Sequence, residues 1–254
     1  MMTIGSKKFF FGARLIWALA LLLIAVVLAG GPGVHLDLWS PFDGFMLVMK
    51  GGFLGGLALA VMALIVIIII AVGKNHGGMG RAIFAFLIGL MLAAPVIYLR
   101  LSGGGVPPIH DITTDMVSPP EFIVLVGQRG HKPNSLDYGN GDPDQRIKLM
   151  TQQKEFYPDI TPMLTSKAPE AAFAKALTVA ASLDWTITGV DQQTRRFEAT
   201  DYSFWFKFAD DIVLTVKETP GGSRIDLRSI SRVGISDLGV NAKRIKSFQE
   251  KYTQ

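Results

Sequence analysis

The polar residues best suited to chemistry crowd into one stretch near the end of the 254-residue chain. It reads Arg228-Ser-Ile-Ser-Arg232-Val-Gly-Ile-Ser-Asp237-Leu-Gly-Val-Asn241, with Arg244 one helical turn further on. A guanidinium presents a planar fork that matches a carboxylate or a phosphate. Arg228, Arg232, Asn241 and Arg244 are therefore the candidate site for an anion or a charged partner. A helix starting near Leu238 would add backbone donors and the positive end of its dipole, with Gly239 allowing close approach. A structural role competes for the same residues. Asp210, Asp211, Asp226 and Asp237 supply carboxylates enough to saturate the three arginines, and with Ser231 they would staple a hairpin to the last helix. The carboxylate count favours the staple over a ligand site, and places catalysis last.

Other reactive patterns are weak. Asp210 and Asp211 are adjacent on an expected strand, so they point to opposite faces and cannot share one substrate proton. Ser229 and Ser231 have no histidine nearby in sequence, and there is no Gly-x-Ser-x-Gly elbow. The histidines are His35, His76, His110 and His131. His110-Asp111 with Asp115 is too sparse to read as a metal site. Gly103-Gly-Gly105 and Gly139-Asn-Gly141 read as turns, since no Lys-Ser/Thr accompanies them. There is no cysteine, which excludes disulfides, Cys-ligated zinc, iron–sulfur clusters and Cys nucleophiles. No catalytic residue, metal or cofactor is implied.

The elements that must position the arginine cluster form an α+β pattern. A helix is expected from Pro143 to about Lys154, capped by Asp142. A second follows Pro169, with Phe173, Ala176, Leu177, Ala180 and Leu183 on one stripe. The period then changes to 2: Trp185–Val190, Arg196–Thr200, a segment in which Phe204, Phe206 and Phe208 alternate to give a buried aromatic face, then Asp210–Glu218 and Ser223–Arg232. Thr219-Pro-Gly-Gly222 marks a hairpin. Its register follows from pairing like with like: Glu218 opposite Ser223, Val216 opposite Ile225, Leu214 opposite Leu227, Ile212 opposite Ser229 and Asp210 opposite Ser231. Arg228 and Arg232 then share the other face with Asp211 and Asp226. A closing helix runs from about Leu238 to Tyr252, capped by Asp237 or Ser236, with Leu238, Ala242, Ile245, Phe248 and Tyr252 as its apolar stripe. Residues 109–142 are rich in Pro, Gly, Asp and Asn, with Phe122–Val126 as an isolated strand candidate. The domain, residues 109–254, is expected to be an antiparallel sheet covered by two or three helices.

Three groups of residues together resemble the family known as domain of unknown function 1499. They are Phe208-Ala-Asp-Asp211, the Arg228-Ser-x-Ser-Arg232-Val-Gly run, and Ser236-Asp-Leu-Gly-Val-Asn241-x-x-Arg244. Pro107-Pro-Ile-His-Asp-Ile-Thr-Thr-Asp115 and Tyr157-Pro-Asp-Ile160 are similar to that family's upstream elements. The resemblance covers roughly residues 106–252. Some relatives carry a Cys soon after a Pro-Asn pair, where this chain has Ser135 after Pro133-Asn134. The resemblance implies a fold but no activity.

The first hundred residues are of another kind. Residues 1–105 hold seven Lys/Arg and two acids, leaving 18 of the 25 basic and 19 of the 21 acidic residues to 106–254. The net charge of +4 thus belongs to the apolar part, which argues against a basic nucleic-acid-binding protein. Three stretches, about Leu15–Gly31, Gly51–Gly73 and the segment between Arg81 and Arg100, are apolar enough to cross a bilayer. No cleavage site follows the first, so it is read as a span rather than a signal peptide. Lys7, Lys8 and Arg14 precede the first span, and Lys74 and Arg81 bracket the second loop. Positive-inside bias therefore sets the N-terminus in the cytoplasm and sends everything after Arg100 across the membrane. No Asp, Glu, His or Lys lies within a span, against an ion pathway.

The reading is a three-helix transmembrane region (1–102), a Gly/Pro linker (103–108) and an extracytoplasmic α+β domain. It fits a multi-pass protein of a bacterial inner membrane with a periplasmic domain. The expected partners are the lipid bilayer and an envelope protein or anionic envelope ligand, not nucleic acid. Two alternatives remain. One is an enzyme acting on an anionic envelope molecule. The other is an accessory subunit whose Gly51/Gly55 face packs against foreign helices.

Overall fold

A computed structural model describes residues 4–73, 77–101, 105–130 and 133–254, with side chains from residue 11 onward. Lys74, His76, Gly103, Gly104, His131 and the side chains of Lys7 and Lys8 lie outside the described residues. By its contacts the chain divides into two units, residues 1–105 with 205–207 and residues 106–204 with 208–254.

The first unit is built on three helices long and apolar enough to cross a membrane, spanning Phe11–His35, Pro41–Val72 and Met79–Leu101. The first combines α1 (Ile4–Leu28) and the short α2 (Gly30–His35). The second is longer than its uncharged core suggests. Ser40 caps α3 (Pro41–Met46) by accepting from the Asp43 N–H. A π-turn over Leu47–Gly51 then carries the chain into α4 (Gly52–Val72) without a break. The third, α5 (Met79–Leu101), runs through Pro95.

Lipid tails are as apolar as leucine, so helices in a bilayer associate through close packing rather than burial of apolar area. The glycines of α4 provide that closeness within the bundle. A Cβ on Gly56 would lie 2.6 Å from the Gly89 carbonyl oxygen, and one on Gly89 would lie 2.6 Å from that of Gly56. On the neighbouring face, a Cβ on Gly55 would meet Leu23 of α1 at 2.8 Å. Gly55, expected on a face for foreign helices, is thus occupied by the chain's own first span.

In the second unit the sheet order is β1-β6-β5-β4-β3, with β2 also on β6. The strands are β1 (Asp111–Thr113), β2 (Met163–Thr165), β3 (Thr186–Asp191), β4 (Arg196–Tyr202), β5 (Ala209–Thr219) and β6 (Gly222–Ser231). All pairings are antiparallel, and the β5–β6 register is the expected one, from Glu218 opposite Ser223 to Asp210 opposite Ser231. The short β1 and β2 were not foreseen. They line up along the outer edge of β6, opposite 228–230 and 223–225.

One face of this sheet is apolar. Ile212, Leu214, Val216, Ile225, Leu227, Phe197 and Ala199 pack against α7 (Pro169–Ser182) and α8 (Val240–Thr253). There Trp185 stacks on Phe248 with ring centres 5.5 Å apart. Helix α6 (Pro143–Phe156) starts from the expected Asp142 cap. Its buried Gln153 side chain bonds both backbone groups of Thr113, filling the open edge of β1.

Three expectations fail, each for a physical reason. Phe122–Val126 is not a strand, because the N–H groups of Ile123, Val124 and Leu125 donate to the Glu198 carboxylate instead of a ladder. Residues 203–208 are the β4–β5 connection, with Phe204 exposed. Ser203 closes that loop, its N–H donating to the Phe208 carbonyl and its hydroxyl accepting from the Phe208 N–H, while Lys207 has a φ of 50°. The last helix starts at Val240, not Leu238. Leu238 and Gly239 take left-handed conformations, which put Leu238 out in solvent rather than on the apolar stripe.

The glycine contact makes a direct prediction for the spans. Gly56→Leu lowers the thermal unfolding midpoint in detergent, because the side chain must push α4 and α5 apart. Gly80→Ala, where an added Cβ meets nothing within 4 Å, leaves it unchanged. An unshifted midpoint for Gly56→Leu would show that these helices do not pack through the pair.

Candidate functional site

The two faces of the sheet divide the arginine cluster. Arg244 rises from α8 on the helix-covered face. Its Nε donates to Asp201 at 2.8 Å, its Nη2 to Asp210 at 2.6 Å and its Nη1 to the Ser229 hydroxyl at 3.0 Å and to Asn241 Oδ1. Asn241 Nδ2 donates to the Ser231 hydroxyl and the His110 carbonyl. This group ties α8 to β1, β4, β5 and β6, and it is buried. Asp237 takes no arginine. Its carboxylate accepts from the Gly239 and Asn241 N–H groups and so organises the start of α8. Burial holds its pKa above the usual carboxylate value, against the pull of those two N–H groups.

Arg228 and Arg232 lie on the opposite face, so the candidate residues do not converge on one site. Arg228 is fully buried and forms a bidentate pair with Asp111, at 2.9 and 2.7 Å. Its remaining donors reach the carbonyls of Pro120 and Leu136, and its guanidinium lies over the rings of Phe122 and Tyr138. Arg232 pairs with Asp211, which also accepts from Arg129 Nε at 2.7 Å and from the Thr200 hydroxyl. One buried carboxylate thus serves two guanidiniums. Asp226 pairs with Arg224.

These contacts hold the segment from Met116 to Gly141 over the second face, where Phe122, Leu125 and Leu136 pack on Val213 and Ile230. Between segment and sheet lies a cavity of about 1070 Å³. Arg196, Thr215, Lys217 and Arg228 line it from the strands, Arg129, Ser135 and Tyr138 from the segment, and Arg146 from α6. Arg129, Tyr138, Thr215, Arg196 and Lys217 were not singled out from the sequence. Strand alternation carried a signal for Thr215 and Lys217, which interleave with the apolar Leu214 and Val216. Nothing local marks Arg129 or Tyr138.

Five cationic residues line the cavity against two acidic ones, Glu121 and Asp137, and three of the five are paired with carboxylates: Arg129 with Asp211, Arg196 with Glu198 and Arg228 with Asp111. Burial pulls the Arg129 guanidinium below its ordinary pKa, with Asp211 opposing and the Arg232 and Arg228 cations adding to the shift. Burial pushes the Tyr138 phenol well up, which keeps it protonated and a hydrogen-bond donor. Among the described residues no group of three or more His, Asp or Glu is placed to hold a metal ion. His110 Nδ1 is instead 3.2 Å from the Ile235 carbonyl oxygen, and Asp111 is committed to Arg228.

The model of a family described as "Protein of unknown function (DUF1499)" matches residues 111–251. The chain belongs to the DUF1499 family. No curated protein matches it. The matched region takes in all six strands and the polar groups on both faces of the sheet. It excludes the three apolar helices.

Two stability measurements on the full chain in detergent test these assignments. Asp211→Ala leaves the buried Arg129 and the half-buried Arg232 without their carboxylate and costs about 3–5 kcal/mol. Arg195→Ala, which removes an ion pair to the exposed Glu170, costs about 1 kcal/mol or less. Equal effects would mean the Asp211 group is not buried as described. For Asp237 the raised folded pKa means that the native state binds the extra proton. Its contribution to stability is therefore full below the ordinary value of 3.8 and is lost as pH rises through the folded pKa. Asp237→Asn keeps an acceptor without the charge, so the variant gains on wild type as pH climbs from below 3.8 to 7 in denaturant titrations. A variant that loses ground toward pH 7 contradicts the assignment.

Proposed function

We propose that this DUF1499 member is a membrane-anchored binding protein. Its C-terminal domain takes an anionic envelope component, or an acidic partner from the envelope, into the cavity on the second face of the sheet. The observation that carries the reading is the cavity itself: space for a sizeable ligand, lined by five cationic residues, of which Arg146 and Lys217 have no ion pair among the described residues. Concave sites with a few convergent polar groups are the usual form of ligand sites. Arg228, Arg232 and Arg244 are each filled by carboxylates and carbonyls within the domain, which supports a scaffolding role for the three. Arg129 and Arg196 are likewise paired, with Asp211 and Glu198, so the lining cations left to a ligand are Arg146 and Lys217.

The address belongs to the same proposal. Cations lead into the first span and bracket the loop between the second and third, while the loop between the first and second holds Asp37 and Asp43 against Lys50. This bias supports a cytoplasmic N-terminus and a domain on the far side of the membrane, in the periplasm for a bacterial inner-membrane protein.

Two experiments test the reading. A reporter fused after Gln254 that is active only outside the cytosol should light up. Activity solely from a cytosolic reporter refutes the orientation. Mass spectrometry of whatever co-purifies with the full chain in mild detergent should identify an anionic component. Lys217→Glu, which reverses an exposed charge at the cavity wall, should strip that component without unfolding the domain. Identical co-purification from wild type and variant refutes the cavity as the binding site.

A further inference from the structure

The connection from β6 into α8 turns apolar side chains outward. Ile235 is 79% exposed and Leu238 56%, and Val233 and Val240 are exposed as well. One exposed apolar residue is ordinary, but a cluster marks a surface that meets something other than water. Leu238 reaches outward from a left-handed backbone, with a φ of 55°, a conformation that costs any residue with a Cβ. The strand pairings put two further features at the same end of the sheet. One is the β4–β5 connection, where Phe204 is 86% exposed. The other is the start of β1, where the chain arrives from the third apolar helix.

That arrival decides the partner, because the β6–α8 connection is fastened to the incoming chain. The Ser236 hydroxyl donates to the Pro107 carbonyl at 3.2 Å, and the Asp237 N–H to the Ile109 carbonyl at 3.1 Å. His110 Nδ1 lies 3.2 Å from the Ile235 carbonyl oxygen. The third apolar helix ends at Leu101. At no more than about 3.6 Å per residue, residues 101–107 reach about 20 Å at full stretch. The covalent tether alone therefore holds this connection near the membrane surface, where lipid is always at hand and any protein must first arrive.

We infer that the β6–α8 connection is a lipid-docking surface. The side chains of Ile235 and Leu238 enter the interfacial zone of the bilayer that holds the chain's own spans. Insertion there takes apolar groups out of water without burying backbone that lacks partners. The inference is independent of the cavity and of which side of the membrane the domain occupies.

The chain has no cysteine, so single-cysteine variants of the full chain each take one environment-sensitive fluorophore. Ile235→Cys puts the label on the connection. Gly221→Cys puts it in the β5–β6 turn at the other end of the sheet, where an added Cβ meets nothing within 4 Å. Both variants are placed in nanodiscs of phosphatidylcholine and phosphatidylglycerol, which leave both membrane faces open to solvent. The label at position 235 should be quenched strongly by a nitroxide on the lipid acyl chain near the head group, and weakly by aqueous iodide. The label at position 221 should show the reverse.

Leu238→Gly, added to Ile235→Cys, removes one inserting side chain and relieves the left-handed strain. Its unfolding midpoint in detergent should be unchanged or raised, while in nanodiscs lipid quenching at position 235 falls and iodide quenching rises. Iodide quenching as free at position 235 as at 221 overturns the inference. A label at 235 shielded from both quenchers also overturns it, since a protein or a second copy then covers the connection. Lipid quenching that survives Leu238→Gly unchanged overturns the role of Leu238.

Discussion

The C-terminal domain depends on carboxylates buried against guanidiniums on the face of the sheet that carries no long helix. The segment from Met116 to Gly141 has almost no regular structure, yet it covers that face. Its backbone groups must still find partners once they leave water. Glu198 gathers three consecutive N–H groups and pairs with Arg196. Arg228 takes two carbonyls, and Asn134 bonds the carbonyls of Ser231 and Gly234. Ions buried this way recover their desolvation cost only with near-ideal geometry, and the bidentate Asp111–Arg228 pair has it. The irregular segment is held by side chains of the sheet in place of a strand ladder.

This arrangement gives the two faces different character. On one, apolar residues of β4, β5 and β6 meet α7 and α8, and the polar atoms of Arg244, Asn241, Ser229 and Ser231 satisfy one another. On the other, cations outnumber acids around a cavity, and three buried donors are left without partners. Of the four buried side-chain polar atoms without a partner among the described residues, three belong to residues around that cavity. Exceptions of that kind mark where local stability yields to another requirement.

The membrane unit solves a simpler problem. Its helices are apolar all round, so sequence periodicity says little about which face meets which neighbour. Gly56 and Gly89 decide it, since only residues without a Cβ let the two backbones approach so closely.

How much was legible follows from the range of each interaction. Span positions, helices α6 and α7, the main strands and the β5–β6 register rest on local composition, period-2 or period-3.6 spacing and a strong turn, all visible along the chain. The assignment of Arg228 and Arg232 to one face and Ser231 to the other also came from alternation alone. The signal failed where a distant side chain overrode local preference. Glu198 captured the backbone of residues 123–125, which otherwise read as a strand. The Phe204–Phe208 alternation belonged to a loop closed by Ser203. The candidate cluster read as one site because its arginines are near in sequence, but a strand and the helix after it place them on opposite sides of a sheet. Arg129, Tyr138 and Thr215 lie on separate elements, and no spacing rule links them. By itself the sequence determined the elements and the family, because those depend on short-range pattern. Only the tertiary structure decided which charges meet and where a cavity is left, because both depend on residues more than about a hundred positions apart being brought across one sheet.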